Sequence, residues 1–169
     1  LGFADLPTDS ADVVVGDAFG SRAVPFHLAT QEFMQEIDRV LRPDGVYVAN
    51  IIDGPAERFL RAEAATIASV FPEVVVIRGP GIVRGVNGNS AIVASRSPID
   101  VDALEARLAA DRDRGAGPES QANAADDDRP LGERVGEILA GAELAAYVDG
   151  VALLTDDFAP VDQLLSSTG

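Results

Sequence analysis

The 169-residue sequence lacks cysteine, lysine and tryptophan, and it has a single histidine. The absence of cysteine excludes disulfides, thiolate nucleophiles and cysteine-based zinc sites, although it gives no information on the redox compartment. Any Ser-His-Asp triad would have to include His27, and the sequence has no GxSxG motif that could present a serine. A hydrolase is therefore not expected.

The sequence also lacks any apolar run approaching the roughly 20 residues that span a bilayer, and it contains no basic region followed by an apolar stretch that would mark a secretory signal. We therefore expect a cytoplasmic setting without membrane contact by this segment. Twenty-eight acidic residues against thirteen arginines give a formal net charge of -15. This charge repels phosphate backbones, so nucleic acid is not an expected partner. It attracts cations such as polyamines, but it also favours solubility, and alone it names no substrate.

Apolar periodicity predicts alternating strands and helices over the N-terminal part of the chain. The uninterrupted runs DVVV at 12–15, VYVANII at 46–52 and VVVI at 74–77 predict buried strands. Helices are predicted between them, one after Thr30 and one at about 56–70. Because parallel neighbours need such crossovers, we expect an α/β fold with a doubly wound, mostly parallel sheet.

The second half departs from this pattern. VNGNS at 86–90, between the short runs IVRG and AIVAS, predicts an antiparallel hairpin that closes the sheet at its edge. Residues 1–110 are expected to form one α/β unit, with Asp100 capping its last helix. The polar, aperiodic residues 111–129 indicate a mobile loop. A helical pattern resumes after it, and residues 130–169 are expected to form a helical extension that packs on the same domain.

Asp17 is the first candidate site residue, because it directly follows an apolar strand and precedes a loop rich in Gly, Ser and Pro. Ligands of open parallel sheets bind beyond the carboxyl ends of the strands. A carboxylate there can orient an amine, accept its proton or accept a hydrogen bond from a ribose hydroxyl. A solvated strand end or an Asx turn explains the position equally well.

The segment DVVVGDAFGSRAVPFHLATQEFMQEIDRVLRPDGVYVAN closely resembles the strand, loop and helix of spermidine synthases and their bacterial spermidine synthase-like relatives. The similarity rests on strand-ending Asp17, on Leu28 and Thr30 at matching intervals, on the pair Glu32-Phe33, and on RPDGVYVAN. LTDDFAPVDQLL resembles the closing segment of the synthase-like relatives, including those fused to transporters. The resemblance implies a class I methyltransferase fold and aminopropyl transfer from decarboxylated S-adenosylmethionine to an amine, in polyamine biosynthesis.

By this resemblance Asp17 is the catalytic residue that engages the attacking amine, and Leu28 and Pro25 belong to the nucleoside site. The co-substrate is decarboxylated S-adenosylmethionine, or S-adenosylmethionine itself, with no prosthetic group and no metal. A homodimer is the expected assembly. The alternatives are an S-adenosylmethionine-dependent methyltransferase-like enzyme with another acceptor, and a non-catalytic binding or dimerisation module.

Two further residues are candidates for substrate binding. His27 is close to Asp17 in sequence, although a lone loop histidine is more often structural. Asp157 belongs to an acidic pair that could hold the far end of a polyamine, but a residue capping a short helical turn before Pro160 explains the pair more simply.

The sequence departs from the family pattern in several places. Gly20 stands where the family usually has a second acid, and no tyrosine occurs near 79–81, where active synthases present one. The glycine-rich loop and the acid of the family's first two strands are also missing, so we expect a C-terminal half that lacks the first strands. GPGIVRG at 79–85 contains a proline and leads to a predicted hairpin, which favours a turn over a phosphate loop.

Overall fold

The computed structural model describes residues 3–17, 25–114 and 137–165. The strands are β1 (Ala11–Gly16), β2 (Leu41–Asp53), β3 (Glu73–Ile77), β4 (Gly88–Ser95) and β5 (Ile138–Ala140). The helices are α1 (Gln31–Val40), α2 (Arg58–Ala68), α3 (Pro80–Val83), α4 (Val101–Arg114), α5 (Gly141–Val148) and α6 (Val161–Leu165), and 3₁₀ turns span Phe3–Asp5 and Phe26–Leu28. The five strands form one sheet in the order β1-β2-β4-β3-β5.

The sheet is mixed. β1 and β2 pair in parallel, whereas β4 lies antiparallel between β2 and β3, and β5 pairs antiparallel with β3. The α/β class with an antiparallel C-terminal strand is confirmed, but that strand is in the interior of the sheet and not at its edge. Three strands still share one direction. Their only parallel pairing is β1 with β2, because β4 separates β2 from β3.

The expected first arm of the hairpin is wrong in detail, since IVRG does not form a strand. Pro80 begins the short helix α3, as its fixed φ allows, and Ile82 is buried. Gly79 lies so close to β4 that an added Cβ would be 1.7 Å from the carbonyl oxygen of Asn89. Gly79 therefore allows close backbone packing on β4, and the segment predicted to be a turn forms the short helix α3.

The crossover helix α1 follows the sequence pattern closely. The Thr30 hydroxyl accepts a hydrogen bond from the backbone N–H of Phe33 at 3.4 Å and caps the helix, as predicted. Met34, Ile37 and Val40 are buried, and α1 packs on β2 and α2. The helix ends directly at β2, whose first residues precede Pro43 and so favour extended backbone.

The second crossover helix, α2, has its N-terminus satisfied from outside the helix. Asp53, at the end of β2, accepts hydrogen bonds from the backbone N–H groups of Gly54 at 2.7 Å and Leu60 at 2.9 Å. Burial raises the pKa of the Asp53 carboxyl, and these N–H bonds oppose that shift. Asp53 therefore ties the end of β2 to the first turn of α2.

The predicted full burial of DVVV is wrong. Val13 is 57% exposed and Val15 67% exposed, while Val14 lies on the other face, among side chains of α1 and α2. The reason is that β1 is an edge strand paired only with β2, and α1 and α2 cover one of its faces. Within the described ranges, no helix has the length and apolar character needed to cross a membrane.

The C-terminal segment packs on α1 and α2. Leu154 is buried, its N–H donates to the Thr66 hydroxyl at 2.9 Å, and its carbonyl accepts from the N–H of Gln31 at 2.8 Å. Thr155 and Phe158 pair across a two-residue turn, where a helical turn was expected.

Part of the predicted helical extension differs, because Ile138–Ala140 form strand β5 ahead of α5. A positive φ of 52° at Gly141 marks the change from strand to helix. α4 continues to Arg114, so the start of the expected loop 111–129 is helical, and the rest lies outside the described residues. The division of the chain at 110 and 129 stays a prediction.

Candidate active site

A cavity of about 310 Å³ lies between β1, β2, α1 and α2, and it reaches the carboxyl ends of the two strands. Four of its lining residues have polar side chains, namely Asp17, Tyr47, Asn50 and Glu63. The other lining residues are Phe3, Val14, Val15, Gly16, Leu28, Phe33, Ile37, Ala49, Ile51 and Phe59. Such a lining, mostly apolar with a few polar groups, is typical of small-molecule sites.

Asp17 lies at the mouth of this cavity. Gly16 of β1 is in register with Ala49 of β2, so the next residues, Asp17 and Asn50, lie side by side. The Asn50 Nδ2 donates a hydrogen bond to the Asp17 Oδ1 at 3.0 Å. Asp17 is exposed, and none of the ion pairs among the described residues involves it. Its carboxylate therefore has one oxygen held and the other available for a ligand.

Gly16 allows a buried tyrosine to reach the β1 backbone. A Cβ at Gly16 would be 2.5 Å from the hydroxyl oxygen of Tyr47. Tyr47 is 3% exposed, and its ring stacks on Phe71 with centroids 6.4 Å apart. Burial raises the pKa of the Tyr47 phenol, and the neighbouring Glu63 carboxyl raises it further. The phenol is therefore neutral near neutral pH and can donate or accept a hydrogen bond in the cavity.

Glu63 is a buried acid on the wall formed by α2. It is 3% exposed, and its Oε2 has no hydrogen-bond partner among the residues that the structure describes. Burial raises its pKa well above the ordinary value of a glutamate. A carboxyl in this setting holds its proton where exposed glutamates are ionised, because the apolar surroundings penalise the charged form.

The structure brings two of the predicted site residues together, since Asp17 and Leu28 line the same cavity. Pro25 lies against a different hollow, of about 350 Å³, formed with Phe26 and residues 159–163. His27 is exposed, and its ring meets that of Phe26 edge-on at 5.6 Å.

Asp157 is exposed in the turn between Thr155 and Phe158. Neither it, nor His27, nor Pro25 lines the cavity of Asp17, and their binding roles stay predictions. Gly20, the expected place of a second acid, lies outside the described residues.

The sequence interpretation missed Tyr47 and Glu63. A signal for Glu63 is present: it lies four residues from both Phe59 and Ile67, on the apolar side of α2, where an acid is unexpected. No comparable signal exists for Tyr47, because its position depends on the close approach of two strands. Asn50 lies near the end of the predicted strand 46–52, which is consistent with its contact with Asp17.

Several known proteins resemble this chain in sequence or in fold. No family model matches the chain. A polyamine aminopropyltransferase of Vibrio vulnificus is 37% identical over 70 residues, which are 41% of this chain and 23% of that protein. The crystal structure of a probable spermidine synthase from Corynebacterium glutamicum aligns with a TM-score of 0.64 at 22% identity, over 94% of this chain and 52% of that chain. A spermidine synthase of Thermotoga maritima aligns with a TM-score of 0.47 at 17% identity, over 84% of this chain and 45% of that chain.

The Corynebacterium structure shows that this chain has the fold the resemblance implied, over about half the length of that protein. The sequence match is to a protein named as an aminopropyltransferase, over a shorter part of its length. This chain therefore resembles a polyamine aminopropyltransferase in part of its sequence and a probable spermidine synthase in its fold, and it spans about half or less of the length of these proteins.

Proposed function

We propose that this chain is part of an aminopropyltransferase that transfers an aminopropyl group from decarboxylated S-adenosylmethionine to an amine in polyamine biosynthesis. The observation that carries the proposal is the Asp17 carboxylate, held by Asn50 at the mouth of a mostly apolar cavity. The similarity to a polyamine aminopropyltransferase supports the same chemistry.

In the proposed reaction a neutral amine nitrogen attacks the carbon next to the sulfonium. The new C–N bond forms as the C–S bond breaks, and the thioether leaves with the bonding electron pair. The amine then loses a proton, which the Asp17 carboxylate accepts and passes to solvent. The hydrogen bond from Asn50 to Oδ1 fixes the orientation of the carboxylate, so that Oδ2 can meet the amine.

The apolar side chain of Leu28 lies in the same cavity and is proposed to contact the nucleoside co-substrate. The decarboxylated form of the co-substrate is proposed because Asp17 would repel a second carboxylate near the reacting carbon. We also propose that the protein is cytoplasmic and that it forms a homodimer. Light scattering of the purified protein would test the homodimer.

The decisive experiment compares Asp17→Asn with Asp12→Asn in the intact polypeptide, assayed with decarboxylated S-adenosylmethionine and putrescine. Asp12 is a matched control, because it is an exposed acid at the other end of β1. We expect Asp17→Asn to lower kcat by about 100-fold or more, as loss of a positioned base does, and Asp12→Asn to retain the wild-type rate.

Turnover by Asp17→Asn at the wild-type rate would contradict the proposal. So would methyl transfer from ordinary S-adenosylmethionine without any reaction of the decarboxylated form, which instead supports a methyltransferase-like enzyme.

A further inference from the structure

The inner wall of the cavity carries a carboxyl group that the proposed mechanism does not use. Glu63 lines the same cavity as Asp17 and is almost fully buried, and one of its oxygens has no hydrogen-bond partner within the described part of the chain. We propose that Glu63 is a specificity-determining residue that binds the distal amine of a diamine whose reacting amine lies at Asp17. The inference rests on the proposed function for the place of the reacting amine.

The walls of the cavity suit the hydrocarbon part of such a ligand. α1 contributes Phe33 and Ile37, and α2 contributes Phe59 beside Glu63. Methylene groups buried against these side chains gain free energy from leaving water. An anionic chain end is disfavoured, because Asp17 already places negative charge at the mouth. An alkyl chain with an amine at each end matches a cavity that has the Asp17 carboxylate at its mouth, apolar walls, and the Glu63 carboxyl on its inner wall.

The unpartnered oxygen of Glu63 identifies what the inner end of the ligand must supply. A buried polar atom without a partner is unfavourable, so this oxygen requires an explanation, and a polar group of a bound ligand supplies one. Of the described residues that line the cavity, none is basic, and the other titratable groups are Asp17 and Tyr47. The element Phe3–Asp5 and helix α1 contribute only apolar side chains. A cation that pairs with Glu63 must therefore come with the ligand.

Binding in this mode involves a proton. In the free protein burial raises the pKa of the Glu63 carboxyl and so favours its protonated form. When the distal ammonium arrives, the carboxyl releases its proton to the buffer and the resulting carboxylate pairs with the ammonium. The diamine thus binds with the release of up to one proton from Glu63. A monoamine of the same chain length engages Asp17 alone and releases none from Glu63.

The test is isothermal titration calorimetry of the intact polypeptide with putrescine and with butylamine, in buffers of different ionisation enthalpy. Butylamine has the same carbon chain and a single amine. We expect wild-type protein to bind putrescine more tightly and with proton release. In Glu63→Gln, putrescine should bind roughly 10- to 100-fold more weakly, without that proton release, while butylamine binding is unchanged. Glu143→Gln, an exposed acid on α5, is the matched control.

The outcomes separate this inference from the proposed function. Putrescine binding of wild-type strength and unchanged proton release in Glu63→Gln would overturn the role of Glu63, even if Asp17→Asn abolishes transfer. Conversely, binding that depends on Glu63 as expected would support the inference even if no aminopropyl transfer is detected. A loss of butylamine affinity equal to the loss for putrescine would indicate a damaged cavity and would also overturn it.

Discussion

The buried carboxyl of Glu63 should make the free energy of unfolding fall as the pH rises. A salt-bridged acid has the opposite effect. Its pKa is raised by burial alone, so the folded state holds a proton that the unfolded chain releases above about pH 4.3. Above that pH the folded state binds more protons than the unfolded state. The free energy of unfolding therefore falls as the pH rises, until the folded-state pKa is passed.

The magnitude follows from the linkage relation. One proton retained in the folded state changes the free energy of unfolding by at most about 1.4 kcal/mol per pH unit. Glu63→Gln replaces the carboxyl with a neutral amide of similar shape and removes this dependence. Relative to wild type, Glu63→Gln should therefore gain up to about 3 kcal/mol between about pH 5 and about pH 7. This is a large part of the roughly 5–15 kcal/mol that stabilises a typical domain.

The assay is urea unfolding of both proteins at several pH values, with Glu143→Gln as an exposed control that should shift only by a few tenths of a kcal/mol. Added salt should leave the difference between Glu63→Gln and wild type nearly unchanged, because desolvation is its cause and screening acts on charge pairs. A difference that stays constant with pH would refute the reasoning, since it would mean that Glu63 ionises as an exposed glutamate does.

Two further predictions concern packing beside the site. Gly16→Ala should destabilise the fold by about 1–3 kcal/mol, because the new methyl group would lie 2.5 Å from the Tyr47 hydroxyl oxygen. In chemical unfolding, a Tyr47→Phe background should recover part of this loss. Strictly additive losses in the double variant would contradict the clash. Thr66→Val should lower the free energy of unfolding by about 1–3 kcal/mol, because the N–H of Leu154 loses its hydrogen-bond acceptor. The amide hydrogen of Leu154 should then exchange faster with solvent. An unchanged exchange rate would exclude the loss of this hydrogen bond.

Local patterns in the sequence were sufficient to predict the elements whose signals are local. The Thr30 cap, the apolar stripe of α1 and the Asp100 cap of α4 appear as predicted, because each depends on residues three or four positions apart. The order of strands was not accessible in the same way. An uninterrupted apolar run does not distinguish an interior strand from an edge strand, so DVVV was predicted to be fully buried although Val13 and Val15 are exposed.

The short segments around the strands were harder to predict for a related reason. Pro80 and Gly79 favour both a turn and a helix start, and only the close approach of β4 selects the helical turn that forms. Ile138–Ala140 form a strand because β3 offers an unpaired edge, even though their sequence continues a helical pattern. In both cases a distant partner decides the conformation.

The candidate site shows the same division between local and distant determinants. Asp17 was predicted from its position at a strand end, which needs no knowledge of the partner strand. Its contact with Asn50 depends on the parallel register that aligns Gly16 with Ala49, and residues so far apart in sequence carry no mark of that alignment. Glu63 lies between these two cases. Its four-residue spacing from apolar neighbours is visible in the local sequence, but the cavity that it lines exists only once β1, β2, α1 and α2 have assembled. An acid on the apolar side of a predicted helix, as at Glu63, is therefore a local signal for a buried carboxyl.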